Sequence, residues 1–172
     1  MPKAVSNASP LIHLAKINRL ELIREFHEQV LVPPAVWREV VERGHGQPET
    51  PLILQACREG WIQQKAVSEE KLISLLKLQL DEGESETIAL AIQERADIVL
   101  LDDSEARLVA NQLNLRVTGV IGILIRAKKE AKIPSLKIEL ERLRTEGRFW
   151  VTERIIEQAL LAVGEVGEKD VG

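Results

Sequence analysis

The chain has 172 residues, of which 45% are hydrophobic and 29% charged, a composition typical of one globular domain and not of a disordered chain. The formal net charge of −4 argues against a protein that coats nucleic acid, because neutralising phosphates requires a basic surface. Aromatic residues make up only 3%, so no platform for stacking bases is expected. Cys57 is the single cysteine, which excludes a disulfide within the chain and, with only three histidines, argues against a structural zinc site.

Membrane and export features are absent from the sequence. No apolar run has the length of a membrane span, and the first residues lack the apolar segment of a secretory signal. Together with the lone thiol, these features predict a cytoplasmic protein that makes no membrane contact.

Short apolar runs alternate with amphipathic helices along the chain. The clearest strand candidates are residues 3–7, 30–32, 98–101 and 115–118, and a run starting at Trp61 is a candidate edge strand. Ser9 is expected to cap the first helix, with Pro10 at its first helical position. Strands that alternate with helices predict an α/β fold with a parallel sheet and helices on both faces.

The most informative stretch is 80–103. An acidic cluster opens an apolar helix, expected at 84–95 after a break at Gly83, and the following strand ends on Asp102 and Asp103. Ligands of parallel sheets lie outside the carboxyl ends of the strands. Glu84, in the first turn of the helix, and the two strand-end acids therefore suggest a crevice that binds a divalent metal and acts on phosphates.

Further polar residues are expected near the same edge of the sheet: Asn7, Ser9 and Thr118, with Glu39 and Glu86 on nearby helices. Hard cations such as Mg²⁺ prefer oxygen ligands, and several carboxylates placed close together repel one another unless a cation binds. Each candidate also has a structural explanation. Glu84 could simply interact with the dipole of its helix, and Asp103 could cap the next helix. Glu39 could form an ion pair with Arg43, one turn further on. Ser9 could serve only as a helix N-cap, and Asn7 could only satisfy local backbone groups.

Five blocks of sequence resemble PIN-domain ribonucleases, and more closely a PIN-like branch filed as a family of unknown function. The blocks are residues 5–15 (VSNASPLIHLA), 32–40 (VPPAVWREV), 83–91 (GESETIALA), 100–107 (LLDDSEAR) and 117–124 (VTGVIGIL). The resemblance implies a three-layer α/β/α sandwich with a mainly parallel sheet of four or five strands. It covers a single PIN-like domain, placed at 1–163, and leaves 164–172 as a frayed tail.

The resemblance also implies a function. PIN proteins are commonly Mg²⁺- or Mn²⁺-dependent endoribonucleases, often dimeric, and often the toxin half of a VapC-type pair that a small antitoxin neutralises. Carried over residue by residue, the metal ligands are Glu39, Glu84, Asp102 and Asp103. Ser9 is the hydroxyl near the site, and Glu86 is a less certain neighbour of Glu84.

One position departs from the PIN pattern. The first strand of a PIN nuclease normally ends in a metal-binding aspartate, and here that position is Asn7, whose amide supplies an oxygen but no charge. This leaves open a non-catalytic PIN-like module that binds RNA or a protein partner. A third alternative is a nucleotide-binding or response-regulator-like domain. The absence of a glycine-rich phosphate loop from the sequence argues against it.

Two observations distinguish the first two alternatives. A nuclease requires clustered acids and a basic rim, for which the candidates are Arg107, Arg116, Arg126, Lys128 and Lys129, whereas a partner-binding module requires an exposed apolar groove. The leucine-rich helix at 71–80 is either a dimer face or a core helix.

Overall fold

Five parallel strands form the centre of the fold in the computed structural model, which describes residues 3–165. The strands are β1 (Lys3–Ser6), β2 (Gln29–Val32), β3 (Ile62–Gln64), β4 (Ile98–Leu100) and β5 (Val117–Thr118). Their order across the sheet is β3-β2-β1-β4-β5, and every neighbouring pair is parallel. The chain winds outward from β1 in one direction and then returns to its other side, so the strand order reverses between β1 and β4.

Within residues 3–165, ten α-helices and one π-helical segment surround the sheet. They are α1 (Ala8–Lys16), α2 (Glu21–Phe26), α3 (Pro34–Trp37), the π segment (Arg38–Glu42), α4 (Thr50–Arg58), α5 (Glu70–Leu76), α6 (Glu82–Gln93), α7 (Ser104–Gln112), α8 (Val120–Lys129), α9 (Leu136–Thr145) and α10 (Glu153–Ala162). None of those described for residues 3–165 is long and apolar enough to span a membrane.

Successive strand residues face opposite sides of the sheet and build two separate cores. Ala4 and Leu100 pack into a large core with α1, α2, α4, α8, α9 and α10. Val5 and Leu101 pack into a second core with α5, α6 and α7. The central strands β1, β2 and β4 are buried on both faces, which explains their largely apolar sequences, whereas the edge strand β3 carries two exposed glutamines. The predicted three-layer α/β/α sandwich with a mainly parallel sheet of four or five strands is confirmed, and the sheet has five strands, all parallel.

Two predicted helix starts are wrong. Asn7, and not Ser9, is the N-cap of α1. Pro10 did not fix the helix start, because proline is tolerated throughout the first helical turn, where the backbone N–H groups have no partner within the helix. The central helix α6 starts at Glu82 after the N-cap Asp81, and Gly83 lies inside its first turn and not before it. The helix after Pro34 also widens into the π segment, which the sequence pattern did not indicate.

The far end of the chain is only partly described. Glu165 accepts backbone hydrogen bonds from Leu136 and Lys137, both 2.9 Å, at the start of α9. The predicted frayed tail falls mainly on residues 166–172, which lie outside the described residues. The domain boundary at 163 stays a prediction.

Candidate functional site

A pocket of about 500 Å³ lies at the carboxyl ends of β1 and β4, where the strand order reverses. The six residues predicted to be catalytic or metal-binding line it: Asn7, Ser9, Glu39, Glu84, Asp102 and Asp103. Thr118, which was expected at the same edge of the sheet, lines a different pocket. They come from separate parts of the chain, namely the start of α1, the π segment, the first turn of α6 and the end of β4. The fold therefore brings these side chains together, while their catalytic and metal-binding roles stay a prediction.

Asn7 is fixed at the floor of the pocket by the sheet. Its backbone N–H donates to the carbonyl of Leu100 over 3.0 Å, which extends the β1–β4 pairing by one residue. The side chain is 9% exposed, and its Oδ1 has no hydrogen-bond partner among the described residues. A buried acceptor without a donor costs about 1–3 kcal/mol, so this oxygen is suited to a ligand that supplies positive charge.

Asp102 is held by two donors. Its Oδ1 accepts the backbone N–H of Val120 at 2.8 Å, and its Oδ2 accepts the Ser9 hydroxyl at 2.6 Å. Val120 opens α8, so the positive end of that helix dipole also stabilises the carboxylate. A Cβ atom at Gly119 would lie 2.6 Å from Asp102 Oδ1, and this close approach requires a glycine.

Asp103 has a different environment, although it is the next residue. Its Oδ2 caps α7 by accepting the N–H of Ala106 at 3.0 Å. Its Oδ1 makes no hydrogen bond within the described part of the chain. The helix-cap explanation is therefore correct for Asp103, but the residue also lines the pocket and keeps one oxygen without a partner.

Three oxygen atoms surround the first turn of α6. The position that a Cβ atom would take at Gly83 lies 3.3 Å from Asn7 Oδ1. The same position lies 3.6 Å from Asp81 Oδ1 and 3.6 Å from Glu39 Oε2. The absence of a side chain at Gly83 thus lets an amide oxygen and two carboxylates approach one point.

Glu84 carries the most perturbed carboxyl group of the pocket. Burial raises its pKa to about 8, and contact with Asp81 and the charge of Asp103 act in the same direction. Burial also raises the pKa of Glu39, again with help from the Asp81 charge. Neighbouring carboxylates that disfavour each other's ionisation are the electrostatic setting in which a cation is bound favourably.

The donor set fits a hard divalent cation in part. Carboxylates and an unpartnered amide oxygen are the ligand types that Mg²⁺ and Mn²⁺ take. Within residues 3–165, however, no three acidic, histidine or cysteine side chains form a preassembled metal-binding group. Mg²⁺ usually takes one or two carboxylates and keeps several waters, so the pocket suits that mode of binding.

Residues 3–165 match a protein-family model whose description is PIN domain. The chain belongs to the PIN-domain family. Its fold is accordingly nuclease-like, and PIN domains as a class generally use divalent metals and bind RNA. No curated protein matches the sequence.

Glu86 lies behind the pocket of this PIN domain and does not line it. Its Oε1 accepts the N–H of Ala35 at 3.1 Å, and its Oε2 lies 3.9 Å from the Arg38 guanidinium. Glu86 thus ties α3 to α6 and supports the position of the following π segment. It is close to Glu84 in sequence only, because residues two positions apart on an α-helix point to nearly opposite sides of it.

Most of the predicted basic rim lies elsewhere. Arg107 lines a groove beside the acidic pocket, but Arg116 and Arg126 line a different pocket. Arg126 also stacks on Phe26, 4.2 Å from the ring centroid. Lys128 pairs with Glu165 at 3.4 Å and donates to the Pro134 carbonyl. Arg126, Lys128 and Lys129 belong to the last turn of α8. They are remote from the acidic pocket, because only the first turn of this ten-residue helix reaches Asp102.

Several lining residues were not predicted, namely Asp81, Ile12, His13, Arg148, Phe149 and Trp150. Asp81 caps α6 by accepting the Glu84 N–H at 2.7 Å, and an acid three residues before a glutamate at a helix start was a usable signal. His13 donates from Nδ1 to the Ser9 carbonyl at 2.8 Å, and burial lowers its pKa. Residues 148–150 follow α9, far along the chain, and no local pattern places them here.

Proposed function

We propose that this PIN domain is a Mg²⁺- or Mn²⁺-dependent endoribonuclease. The observation that supports it is that Glu39, Glu84 and Asp103 line one pocket together with Asn7, whose buried Oδ1 has no partner among the described residues. When bound, a divalent cation activates water and stabilises the charge that develops on a scissile phosphate. The family's general use of divalent metals and RNA supports the same chemistry.

The two strand-end acids have different parts in this proposal. Both oxygens of Asp102 already accept protein hydrogen bonds, so Asp102 mainly fixes the geometry of the crevice and adds negative charge. Asp103 retains one oxygen for a ligand. Glu39 and Glu84 supply the other carboxylates. The Asn7 amide orients water or phosphate, and the Ser9 hydroxyl, whose proton is donated to Asp102, orients water by accepting a hydrogen bond from it.

Glu84 also couples metal binding to protons. With a pKa of about 8, its carboxyl group holds a proton through much of the neutral range in the metal-free protein. A cation must displace that proton, so its affinity rises with pH and binding releases protons. The proton leaves from the Glu84 carboxyl to solvent.

The test is calorimetric titration of Mn²⁺ into the wild type and into Glu84→Gln, with Glu157→Gln as the matched control. Glu157 is an exposed acid on α10, outside the pocket. We expect saturable binding that is lost in Glu84→Gln and retained in the control. Single-stranded RNA is then incubated with Mn²⁺ or EDTA, and cleavage that requires metal and Glu84 is expected. No binding at millimolar metal contradicts the nuclease proposal.

A second candidate is a non-catalytic module that binds RNA or a protein, and Asn7 is the observation in its favour. An amide in place of the usual strand-end carboxylate removes one negative charge from the site. The lack of a preassembled three-ligand group among residues 3–165 points the same way. RNA binding without metal-dependent cleavage identifies this candidate.

The biological setting is proposed from the family resemblance. We place the protein in the cytoplasm as the toxin of a toxin–antitoxin pair, neutralised by a small antitoxin. The leucine-rich helix predicted at 71–80 ends at Leu76, and a homodimer is proposed through α5 and the turn that follows it. In this segment Leu75 and Leu78 are exposed while Leu76 and Leu80 are buried in the core. Sedimentation of the wild type and of Leu75→Glu tests this, because a charge in an apolar interface separates the subunits.

A further inference from the structure

Trp150 lies at the mouth of the acidic pocket with its indole ring in solvent. It is 86% exposed, whereas Trp61 is 4% exposed and packs in the core. Tryptophan is highly buried on average, because its ring contributes more apolar area than most side chains. Packing among residues 3–165 gives no reason for a tryptophan to be exposed at this position.

The backbone holds Trp150 in place. Phe149 beside it donates its N–H to the Leu143 carbonyl at 3.0 Å and contacts the His13 ring edge-on at a centroid distance of 4.9 Å. Val151 on the other side is 2% exposed and belongs to the large core. With both neighbours anchored, Trp150 is presented to solvent from a fixed position.

Arg148 lies on the same segment and lines both the acidic pocket and a neighbouring pocket that contains Glu49 and Glu146. It adopts a left-handed backbone conformation with φ of 51°, just after Gly147, whose Cβ would lie 2.7 Å from the Leu143 carbonyl. Arg148 forms no ion pair within residues 3–165. The tight turn after α9 therefore directs an uncompensated cation toward a pocket of carboxylates.

A groove of about 650 Å³ continues from the pocket and shares Asp102, Phe149 and Trp150 with it. Its other wall carries Arg107, which likewise forms no ion pair within the described residues, and apolar side chains from α7, α8 and α10. The surface next to the acids thus combines one free aromatic face with two free guanidinium groups. Proteins bind single-stranded nucleic acid with this combination, since bases stack on aromatic rings and phosphates pair with cations.

We propose that the Trp150 indole stacks on a base of single-stranded RNA, with Arg148 and Arg107 pairing with the flanking phosphates. This inference rests on the proposed function, because it supplies the residues that hold the substrate strand across the acidic pocket. It assigns a binding role to Arg148 and Trp150, which none of the five sequence blocks contains, and to Arg107, the last residue of the fourth block. The stacking is sequence-tolerant, since every base offers a π face.

The experiment uses tryptophan fluorescence and anisotropy of the whole chain with a labelled single-stranded oligoadenylate. It is run both in EDTA and in Ca²⁺, and an abasic strand of equal length is the matched probe. We expect oligoadenylate to quench the Trp150 emission, an effect absent in Trp150→Phe, and the abasic strand to leave it unchanged. Trp150→Ala is expected to raise Kd roughly 5- to 100-fold, and Trp150→Phe considerably less.

Matched controls separate this surface from general effects. Leu161→Ala removes another exposed apolar side chain, outside the groove, and is expected to leave Kd unchanged. Arg148→Gln is expected to weaken binding and lower the slope of log affinity against log salt by about one, whereas Arg154→Gln on α10 changes neither. Equal affinity of wild type and Trp150→Ala in both buffers overturns the proposal.

A partner other than RNA gives a different result. If Trp150→Ala abolishes self-association while RNA binding is weak and independent of bases, the surface is a contact between copies of the chain and the proposal is wrong. A cleavage assay in Mn²⁺ tests the proposed nuclease function separately from the stacking role of Trp150. Stacking without cleavage contradicts only the nuclease, and cleavage with an unchanged KM in Trp150→Ala contradicts only the stacking role.

Discussion

Ser9 Oγ donates a 2.6 Å hydrogen bond to Asp102 Oδ2 and so joins the first turn of α1 to the end of β4. The two residues are 93 positions apart in the chain. The bond crosses the point where the strand order of the sheet reverses, and it fixes the carboxylate at the base of the pocket. Ser9 is therefore a positioning residue and not the helix cap that its sequence context indicates.

Ser9→Ala is expected to destabilise the protein and to loosen the site. Hydrogen bonds to charged groups contribute about 1.5–3 kcal/mol, and the half-buried Asp102 puts the expected loss near the lower end. Chemical denaturation measures the loss, and Mn²⁺ titration measures a weaker affinity. Ser74→Ala, an exposed serine on α5, is the control and is expected to change unfolding by less than about 0.5 kcal/mol.

Asn7→Asp restores the acid that PIN nucleases normally have at this position. In the metal-free protein we expect lower stability, because the new charge joins Glu39 and Asp81 around Gly83. With Mn²⁺ we expect affinity at least about tenfold higher, equal to about 1.4 kcal/mol, since a carboxylate replaces a neutral ligand. Calorimetry and thermal unfolding with and without metal measure both effects.

A substitution of the same type outside the pocket controls for the added charge. Asn18→Asp changes an exposed asparagine whose positive φ both residue types tolerate, and no gain in Mn²⁺ affinity is expected. Equal affinities for Asn7→Asp and wild type would show that the floor of the pocket does not contact the cation.

The sequence was sufficient for the sheet and for most of the pocket. Strands buried on both faces have continuous apolar runs, and parallel strands end at one edge, so Asn7 and Asp102 were expected to meet. The low aromatic content led us to expect no surface for stacking bases. A count of five aromatic residues does not reveal that Trp150 is exposed at the pocket. The segment around Trp150 and the π segment holding Glu39 depend on tertiary packing, which local periodicity does not encode.

The buried pair of Arg19 and Glu139 gives a prediction about stability alone. Arg19 Nη2 lies 2.6 Å from Glu139 Oε1, and Arg142 adds a second contact of 3.2 Å to a carboxylate that is only 2% exposed. Breaking a buried pair leaves an uncompensated charge and costs about 3–5 kcal/mol. Because Arg19 is partly exposed, we expect Glu139→Gln to lose about 2–3 kcal/mol in urea unfolding.

The control for this pair lies two residues further along the same helix. Glu141 on α9 is exposed and forms no ion pair within residues 3–165, so Glu141→Gln is expected to be nearly neutral. Mn²⁺ affinity is expected to stay unchanged in both variants, since neither residue lines the acidic pocket. A loss of affinity in Glu139→Gln would show that α9 transmits its position to the site.

The raised pKa of Glu84 predicts that the metal-free protein loses stability as pH rises. A glutamate with a pKa of 4.5 when unfolded and about 8 when folded binds more proton in the folded state between those values. The folded state therefore weakens as pH rises from about 4.5 to 8, and burial-driven elevation of the Glu39 pKa acts in the same direction. After allowance for solvent screening of this partly exposed group, we expect a loss of about 1–2 kcal/mol.

Unfolding in urea at a series of pH values in EDTA measures this loss. Glu84→Gln cannot ionise, so we expect it to flatten the profile and to be more stable than wild type at pH 8. Saturating Mn²⁺ is expected to reverse the order, because a cation that binds only the folded wild type stabilises it and leaves the variant unchanged. A wild-type profile that rises steadily from pH 5 to 8 without metal would contradict the electrostatic strain on which the proposed cation site depends.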